Sequence, residues 1–199
     1  MSKLIAIVGA SGVGKTALVH ALANAYPFCT AFEEHAERPF QALFKQDQRY
    51  ALANQIDYLL RCGEQETQLR ASSQVGLMDG GLDLDFHGFT RLFYHRGLLT
   101  KSEFDLCRRI HHVLRKSLPS PELFVRLCAD EDTIIHRLST RDRINIVSPA
   151  DTALFNSFLD EWLASIPADQ ILELDVSDET LDYERSVRVI LNRAERNEG

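Results

Sequence analysis

The apolar residues of the chain form short continuous runs, which alternate with longer stretches where they recur every three or four positions. The first run, Leu4–Val8, is apolar throughout, as expected for a strand that is covered on both faces. Further short runs predict strands at 28–32, 74–78, 123–127 and 170–174. Helical spacing predicts helices at 15–26, 39–63, 85–96 and 101–118, then from about 130 into 137–143, and at 150–166 and 181–195. This alternation predicts a single three-layer α/β domain, 1–199, with a five-stranded parallel sheet between helices.

The first predicted strand leads into a phosphate-binding pattern. Its residues are Gly9-Ala10-Ser11-Gly12-Val13-Gly14-Lys15-Thr16, which have the P-loop spacing of Gly, four residues, Gly-Lys-Ser/Thr between a strand and a helix. Glycines let backbone N–H groups curl around phosphate oxygens, and the helix N-terminus adds positive potential. In such a loop Lys15 neutralises the β- and γ-phosphates, and the Thr16 hydroxyl ligates Mg²⁺. The pattern predicts binding of a nucleoside triphosphate, with ATP and Mg²⁺ as the expected pair.

Composition narrows the class of partner. The net charge of −7 argues against a general nucleic-acid partner, which would favour a basic face. No apolar run approaches the length that spans a bilayer, and the first residues lead into a strand rather than a signal peptide. We therefore expect neither nucleic acid nor a membrane among the partners.

Cysteine and histidine spacing gives no sign of a metal site. The chain has irregularly spaced cysteines and no CxxC pair: Cys29, Cys62, Cys107 and Cys128. Together with the nucleotide site, this predicts reduced, mostly buried thiols in a cytoplasmic protein. The seven histidines form no metal pattern. The His111-His112 pair lies in a helical stretch rich in Arg and Lys, where a solvated face is expected.

A basic segment follows the fourth predicted strand. The guanine-reading Asn-Lys-x-Asp motif of GTPases is absent, and the chain is short for a motor protein. Arg137, Arg141 and Arg143 lie on one short segment, and three guanidiniums could form a lid at about 137–147 that closes over transferring phosphates. The alternative is a solvated basic helix end, which the helix dipole favours.

In the order of its motifs the chain resembles the deoxyribonucleoside kinase family, particularly its small bacterial members. The resemblance covers nearly the whole length. The matching segments are 9–16, 34–40, Gln55 within 50–60, 79–100, the lid at 137–143, and 171–175. It implies a P-loop fold, ATP and Mg²⁺ as cofactors, a nucleoside-like acceptor, a role in nucleotide salvage and a homodimer.

The resemblance also assigns roles to residues of the acceptor site. In the family, an acidic residue after the second strand takes the proton of the sugar 5′-hydroxyl; here it is Glu34, with Glu33 as the alternative register. Gln55 matches a glutamine that hydrogen-bonds the nucleobase, although a helical glutamine is also typical of a surface. Asp79 matches the acidic residue near Mg²⁺, and Asp85 matches an aspartate that contacts the substrate.

Two further candidates share the helical region of Gln55. Arg49 and Tyr58 either line the acceptor pocket or pack with their polar ends in solvent. Of the lid arginines, Arg137 and Arg141 would contact ATP, and Arg141 and Arg143 would stabilise charge during transfer.

The chain departs from the family pattern at two positions. His35 replaces the usual proline, and Gly80, followed by Gly81, stands where the family has an arginine beside the reacting 5′-oxygen. Either another cation (Arg49, Arg70 or a lid arginine) fills the gap, or the acceptor is not a simple nucleoside.

The prediction is therefore transfer of the γ-phosphoryl group of Mg²⁺-ATP to the 5′-hydroxyl of a (deoxy)nucleoside. Two alternatives stay open at this point. One is a kinase of a nucleoside monophosphate or another small molecule. The other is a nucleotide-binding regulatory protein with impaired catalysis.

Overall fold

The predicted strands form one parallel sheet in a computed structural model that describes residues 2–31, 38–139, 151–180 and 182–196. The strands are β1 (Leu4–Val8), β2 (Cys29–Ala31), β3 (Gly76–Asp79), β4 (Leu123–Cys128) and β5 (Ile171–Asp175). Their order across the sheet is β2-β3-β1-β4-β5. The central strand β1 pairs with β3 and β4, so that its carboxyl end opens at the middle of the sheet edge where ligands bind in α/β folds.

Helices connect these strands. They are α1 (Lys15–Ala25), α2 (Pro39–Gln46), α3 (Ala51–Ala71), α4 (Leu82–Leu84), α5 (Arg91–His95), α6 (Lys101–Ser117), α7 (Glu131–Ser139), α8 (Thr152–Leu163) and α9 (Glu184–Arg196). A π-helical turn, Asp85–Thr90, joins α4 to α5, and 3₁₀ turns lie at Gln48–Tyr50 and Ala168–Gln170. Within the described ranges, no helix combines the length and apolar character needed to cross a bilayer.

Helices cover both faces of the sheet, which confirms the three-layer prediction. From Ile5 to Val8, the side chains of β1 alternate between two apolar clusters because successive residues of a strand point to opposite faces. Ile7 packs with Leu18 of α1 and Ile190 of α9, whereas Val8 packs with Phe155 of α8. The central strand is thus apolar at every position because both of its faces are buried, as its sequence indicated.

The prediction of one helix from Pro39 to Gly63 is wrong in its middle and at its end. Asp47 is extended, and its carboxylate accepts a hydrogen bond from the backbone N–H of Arg49 at 2.9 Å, which separates α2 from the 3₁₀ turn before α3. Helix α3 then continues past Gly63 to Ala71. A Cβ at Gly63 would lie 3.1 Å from a methyl carbon of Leu114, so the glycine permits close packing of α3 on α6 instead of ending the helix.

The expectation of mostly buried cysteines is also wrong. All four are free thiols, but only Cys107 is buried, and the other three are half-buried. Burial raises the pKa of Cys107 to about 11, which keeps this thiol protonated and unreactive near neutral pH.

Candidate active site

The loop 9–16 leaves the carboxyl end of β1 and enters α1 in a conformation that requires its glycines. Gly9 and Gly14 have φ values of 148° and 109°, a backbone conformation that residues with a side chain rarely adopt. A Cβ at Gly9 would lie 2.7 Å from the carbonyl oxygen of Leu127, and one at Gly14 would collide with the hydroxyl of Tyr183. Backbone conformation and crowding therefore both exclude larger residues from this loop.

Lys15 is held against the loop that precedes it. Its Nζ donates hydrogen bonds to the carbonyl oxygens of Gly9 at 3.0 Å and Ala10 at 3.1 Å. The ammonium group is thereby kept at the start of α1, where the unpaired N–H groups of the helix also favour an anion. This position suits the predicted role in neutralising phosphate charge.

Thr16 and Asp79 lie together although 63 residues separate them in the chain. Thr16 Oγ1 donates a hydrogen bond to Asp79 Oδ2 at 2.6 Å. The next backbone N–H, that of Gly80, donates to the carbonyl oxygen of Ile7 at 2.9 Å, which ties the end of β3 to β1. A hydroxyl and a carboxylate are oxygen ligands of the kind that Mg²⁺ prefers, so this pair fits the predicted metal.

The last turn of helix α7 lies over the phosphate-binding loop. Arg137 donates hydrogen bonds from one guanidinium nitrogen to the carbonyl oxygen of Val13 at 2.7 Å and from another to that of Val176 at 3.1 Å. The side chain of Leu138 lies 2.7 Å from where a Cβ of Gly12 would be. The first arginine of the predicted lid therefore reaches the loop.

Gln55 is buried in α3, so the alternative of a surface glutamine does not apply. Its side-chain amide donates a hydrogen bond to Thr90 Oγ1 at 2.9 Å, and its oxygen accepts one from Asn54 at 3.4 Å. Thr90 ends the π-helical turn that Asp85 begins, and both of these residues are buried. Thr90 could not be found from the sequence, because a threonine inside a helical segment has no distinctive spacing.

Arg49 and Tyr58 are less closely tied to this group. The Arg49 side chain is 71% exposed, pairs with Asp47 at 3.1 Å, and donates to the hydroxyl of Tyr50 at 3.0 Å. Tyr58 is half-buried on α3. The structure does not bring the Arg49 side chain together with the buried candidates, and its assignment to the acceptor site stays a prediction, as does that of Tyr58.

Gly80 has room for a larger residue but not the backbone conformation for one. Its φ is 84°, and the nearest atom to an added Cβ is a methyl carbon of Leu84 at an ordinary 3.4 Å. Of the cations proposed to replace the family's arginine, Arg70 is excluded. It is paired with the buried Glu66 at 3.0 Å and donates to the carbonyl oxygen of Ser2, at the amino end of β1 and the opposite edge from Gly80.

Several predicted residues lie outside the described ranges. They are Glu33, Glu34, His35, Arg141, Arg143 and the rest of the lid segment beyond Ser139. Their assignments as base and charge-stabilising groups stay predictions.

Comparison with known proteins places this geometry in a family. The family described as Deoxynucleoside kinase matches residues 5–196. A deoxyadenosine/deoxycytidine kinase of Bacillus subtilis (strain 168) is 24% identical over 199 residues, covering 96% of this chain and 91% of that protein. A deoxyguanosine kinase of the same organism is 25% identical over 174 residues, covering 86% of this chain and 81% of that protein.

A solved structure shows the same fold. The structure of deoxyadenosine kinase from M. mycoides with bound dCTP superposes with a TM-score of 0.78 at 17% identity, covering 97% of this chain and 99% of that chain. The family match spans nearly the whole sequence and agrees with the phosphate-binding loop and the paired Thr16 and Asp79. The chain belongs to the deoxynucleoside kinase family, whose members are nucleoside kinases that take their phosphate from a nucleotide.

Proposed function

We propose that this protein transfers the γ-phosphoryl group of ATP to the 5′-hydroxyl of a deoxynucleoside, with Mg²⁺ required. The hydrogen bond between Thr16 and Asp79 is the observation that carries the proposal, because it joins the P-loop hydroxyl to an acidic residue at the end of the neighbouring strand. Both residues would hold Mg²⁺, and the ion would offset negative charge on the phosphate oxygens. The loop 9–16 and Arg137 would bind the triphosphate.

The remaining roles divide between the phosphates and the acceptor. Lys15 stabilises charge on the β- and γ-phosphates, and Arg141 and Arg143 do so from the lid. Glu34 accepts the proton of the 5′-hydroxyl while the new O–P bond forms and the bond to the β-phosphate oxygen breaks, releasing ADP. These steps leave the nucleoside as its 5′-monophosphate.

The acceptor's base would be recognised by the buried polar group around Gln55. The hydrogen bond to Thr90 fixes the Gln55 amide, and its oxygen has Asn54 as a neighbour, so the amide is oriented before a base arrives. Asp85, buried on the same turn as Thr90, would contact the sugar or base. Preorganised polar groups of this kind give larger discrimination between substrates than apolar contacts do.

Steady-state rates with ATP, Mg²⁺ and each of the four common deoxynucleosides test the proposal. We expect turnover of at least one of them, and its loss when Mg²⁺ is chelated. Background rates on all four, with normal ATP binding, would show that the acceptor is something else.

A second candidate acceptor is a nucleoside monophosphate, and Gly80 is the observation that favours it. Glycine leaves space and no charge at the position of the family's arginine. The same panel extended to the four deoxynucleoside monophosphates separates the two candidates. If nucleosides are the substrates, Arg49→Ala tests whether Arg49 supplies the missing cation. A decrease of more than tenfold in kcat/KM for the nucleoside would show that it does. A smaller decrease would favour a lid arginine in that role.

We also propose that the protein is a homodimer. Exposed apolar side chains lie on two neighbouring helices, Leu60 on α3 and Leu106 and Val113 on α6. Light scattering during size-exclusion chromatography should give twice the 22.6 kDa chain mass. A monomer mass at micromolar concentration would refute this part of the proposal.

A further inference from the structure

A network of charged side chains lies at one end of the contact between α3 and α6, away from the phosphate-binding loop. Glu66 is fully buried and pairs with Arg70 at 3.0 Å and with Arg115 at 2.7 Å. Arg115 also donates to Asp83 Oδ1 at 3.0 Å, and Arg70 reaches Glu122 at 3.3 Å. Three carboxylates face two guanidiniums, so that these five side chains carry one negative charge in excess.

Two histidines complete one end of this network. His111 Nε2 lies 2.8 Å from Asp83 Oδ1, and His87 follows Asp83 by four residues in the same helical stretch. One ligand atom from each of the three residues lies within 4.8 Å of the other two. The ring of His87 stacks on Trp162 and that of His111 on Phe86, with centroid distances of 5.1 and 4.5 Å, which fixes both imidazoles.

This arrangement corrects one expectation from the sequence. The His111 side chain is only 13% exposed, so it does not lie on a solvated face. Asp83, His87 and His111 also form one group of possible metal ligands, although 28 positions separate Asp83 from His111 in the chain.

Two of the three residues have shifted pKa values. Burial lowers the pKa of His87 to about 4. The nearby His111 and Arg91 lower this pKa further, whereas the charges of Asp83 and Glu161 raise it. Burial opposes ionisation of Asp83, but the hydrogen bond from His111 and the charge of Arg115 outweigh it and hold the pKa of Asp83 below its ordinary value. Metals bind an ionised carboxylate and an imidazole nitrogen without its proton, so an ion would take the place of the proton that joins His111 Nε2 to Asp83.

We propose that Asp83, His87 and His111 bind a divalent transition-metal ion, with Zn²⁺ as the best fit. Two imidazole nitrogens and one carboxylate oxygen form a three-ligand set that leaves a fourth position open. Imidazole suits Zn²⁺, whereas Mg²⁺ prefers oxygen ligands and keeps its waters, so the ion differs from the one expected at Thr16 and Asp79.

Binding an ion requires the separations between ligand atoms to change by up to about 1.5 Å. Ligand distances of about 2.0–2.2 Å around a tetrahedral ion separate neighbouring ligand atoms by about 3.3–3.6 Å. The three atoms already lie within 4.8 Å of one another, and the hydrogen-bonded pair of Asp83 and His111 must open by about half an ångström. Asp83 Oδ1 already accepts a hydrogen bond from Arg115 at 3.0 Å, so the ion would share this carboxylate with a guanidinium. A bound ion would tie the helical stretch that carries Asp85 and Thr90 to α6.

Metal titration of the full-length protein tests this proposal, with any polyhistidine tag removed, prior chelation and no nucleotide present. We expect calorimetry to show one Zn²⁺ bound per chain, and Co²⁺ to give visible absorption typical of tetrahedral coordination. His87→Gln and His111→Gln should each weaken Zn²⁺ binding at least tenfold. His112→Gln is the matched control, because His112 is adjacent on α6 but exposed, and its binding should equal that of the unmodified protein.

Circular dichroism and the melting temperature, both measured without metal, establish whether each variant is folded. If either the His87 or the His111 variant is unfolded, the folded one of the two is used for the test. A hundredfold excess of Mg²⁺ should not displace Zn²⁺. The proposal is overturned if the unmodified protein binds Zn²⁺ no more tightly than the folded His87 or His111 variant. It is equally overturned if His112→Gln weakens binding as much, or if Mg²⁺ displaces the ion, because either result places the ion at another site.

Discussion

Replacing Glu66 with glutamine removes a buried negative charge with almost no change in side-chain size. Glu66 accepts hydrogen bonds from Arg70 Nε at 3.0 Å and from two nitrogens of Arg115 at 2.9 and 2.7 Å. In glutamine one of the two oxygens becomes an NH₂ group, which can only donate, so at least one of these contacts turns from attraction to repulsion. The buried guanidinium of Arg70 and the half-buried one of Arg115 would each remain with one partner fewer.

The structure bounds the size of the effect. Removing one partner of a buried ion pair costs about 3–5 kcal/mol. Arg70 keeps Glu122 and the carbonyl oxygen of Pro119, and Arg115 keeps Asp83, so we expect the lower end, about 3 kcal/mol. With a urea m-value of about 2–3 kcal/mol/M for a domain of this size, the unfolding midpoint should fall by about 1–1.5 M.

Urea unfolding at one fixed protein concentration measures this change in midpoint, and Asp105→Asn is the matched control. The Lys101–Asp105 pair has the same spacing of four residues on a helix as Glu66–Arg70, but its lysine is 75% exposed rather than buried. Exposed pairs of this kind contribute little, so the control midpoint should stay close to that of the unmodified protein. Equal midpoints for Glu66→Gln and Asp105→Asn would refute the argument that burial makes the network energetically important.

Three further predictions concern the site. Lys15→Ala should lower turnover at least about a hundredfold because it removes a preorganised charge, and rates within a few-fold of the unmodified enzyme would contradict a P-loop mechanism. Glu34→Gln should lower turnover roughly a hundredfold in the same assay, whereas Glu33→Gln should be mild, and the reverse order would move the base by one position. Gly80→Ala should lower the free energy of unfolding in urea by about 1–2 kcal/mol, since its φ of 84° is strained for alanine; no change would show that the loop adapts.

The sheet could be predicted from the sequence because its central strands are buried on both faces. Leu4–Val8 has no polar position. Such a run is either a covered strand or a piece of buried helix, and its short length favours the strand. The phosphate-binding loop was predictable for a related reason. Its glycines are required by backbone conformation, which is a local property and therefore visible in a local pattern.

Helix boundaries were less predictable because tertiary packing overrides local preference. Gly63 has the low helix propensity of any glycine, and the sequence alone favours ending the helix there. Its place against Leu114 depends on α6, which begins 38 residues later. The contact between Thr16 and Asp79 needed a different source of information, the order of motifs along the chain, because nothing in the spacing of the two residues predicts their meeting.

For the network around Asp83, the sequence indicates which residues of α6 face inward but does not indicate their partners. Cys107, His111 and Arg115 are spaced four residues apart on α6, so they share one face of the helix, and the first of them is fully buried. That spacing indicates that the histidine and the arginine also face inward, although their polarity suggested solvent. Their partners could not be found in the same way. Asp83 and Glu66 lie on two other helices, and only the packing of α3, α4 and α6 brings opposite charges close enough to offset the cost of burying them.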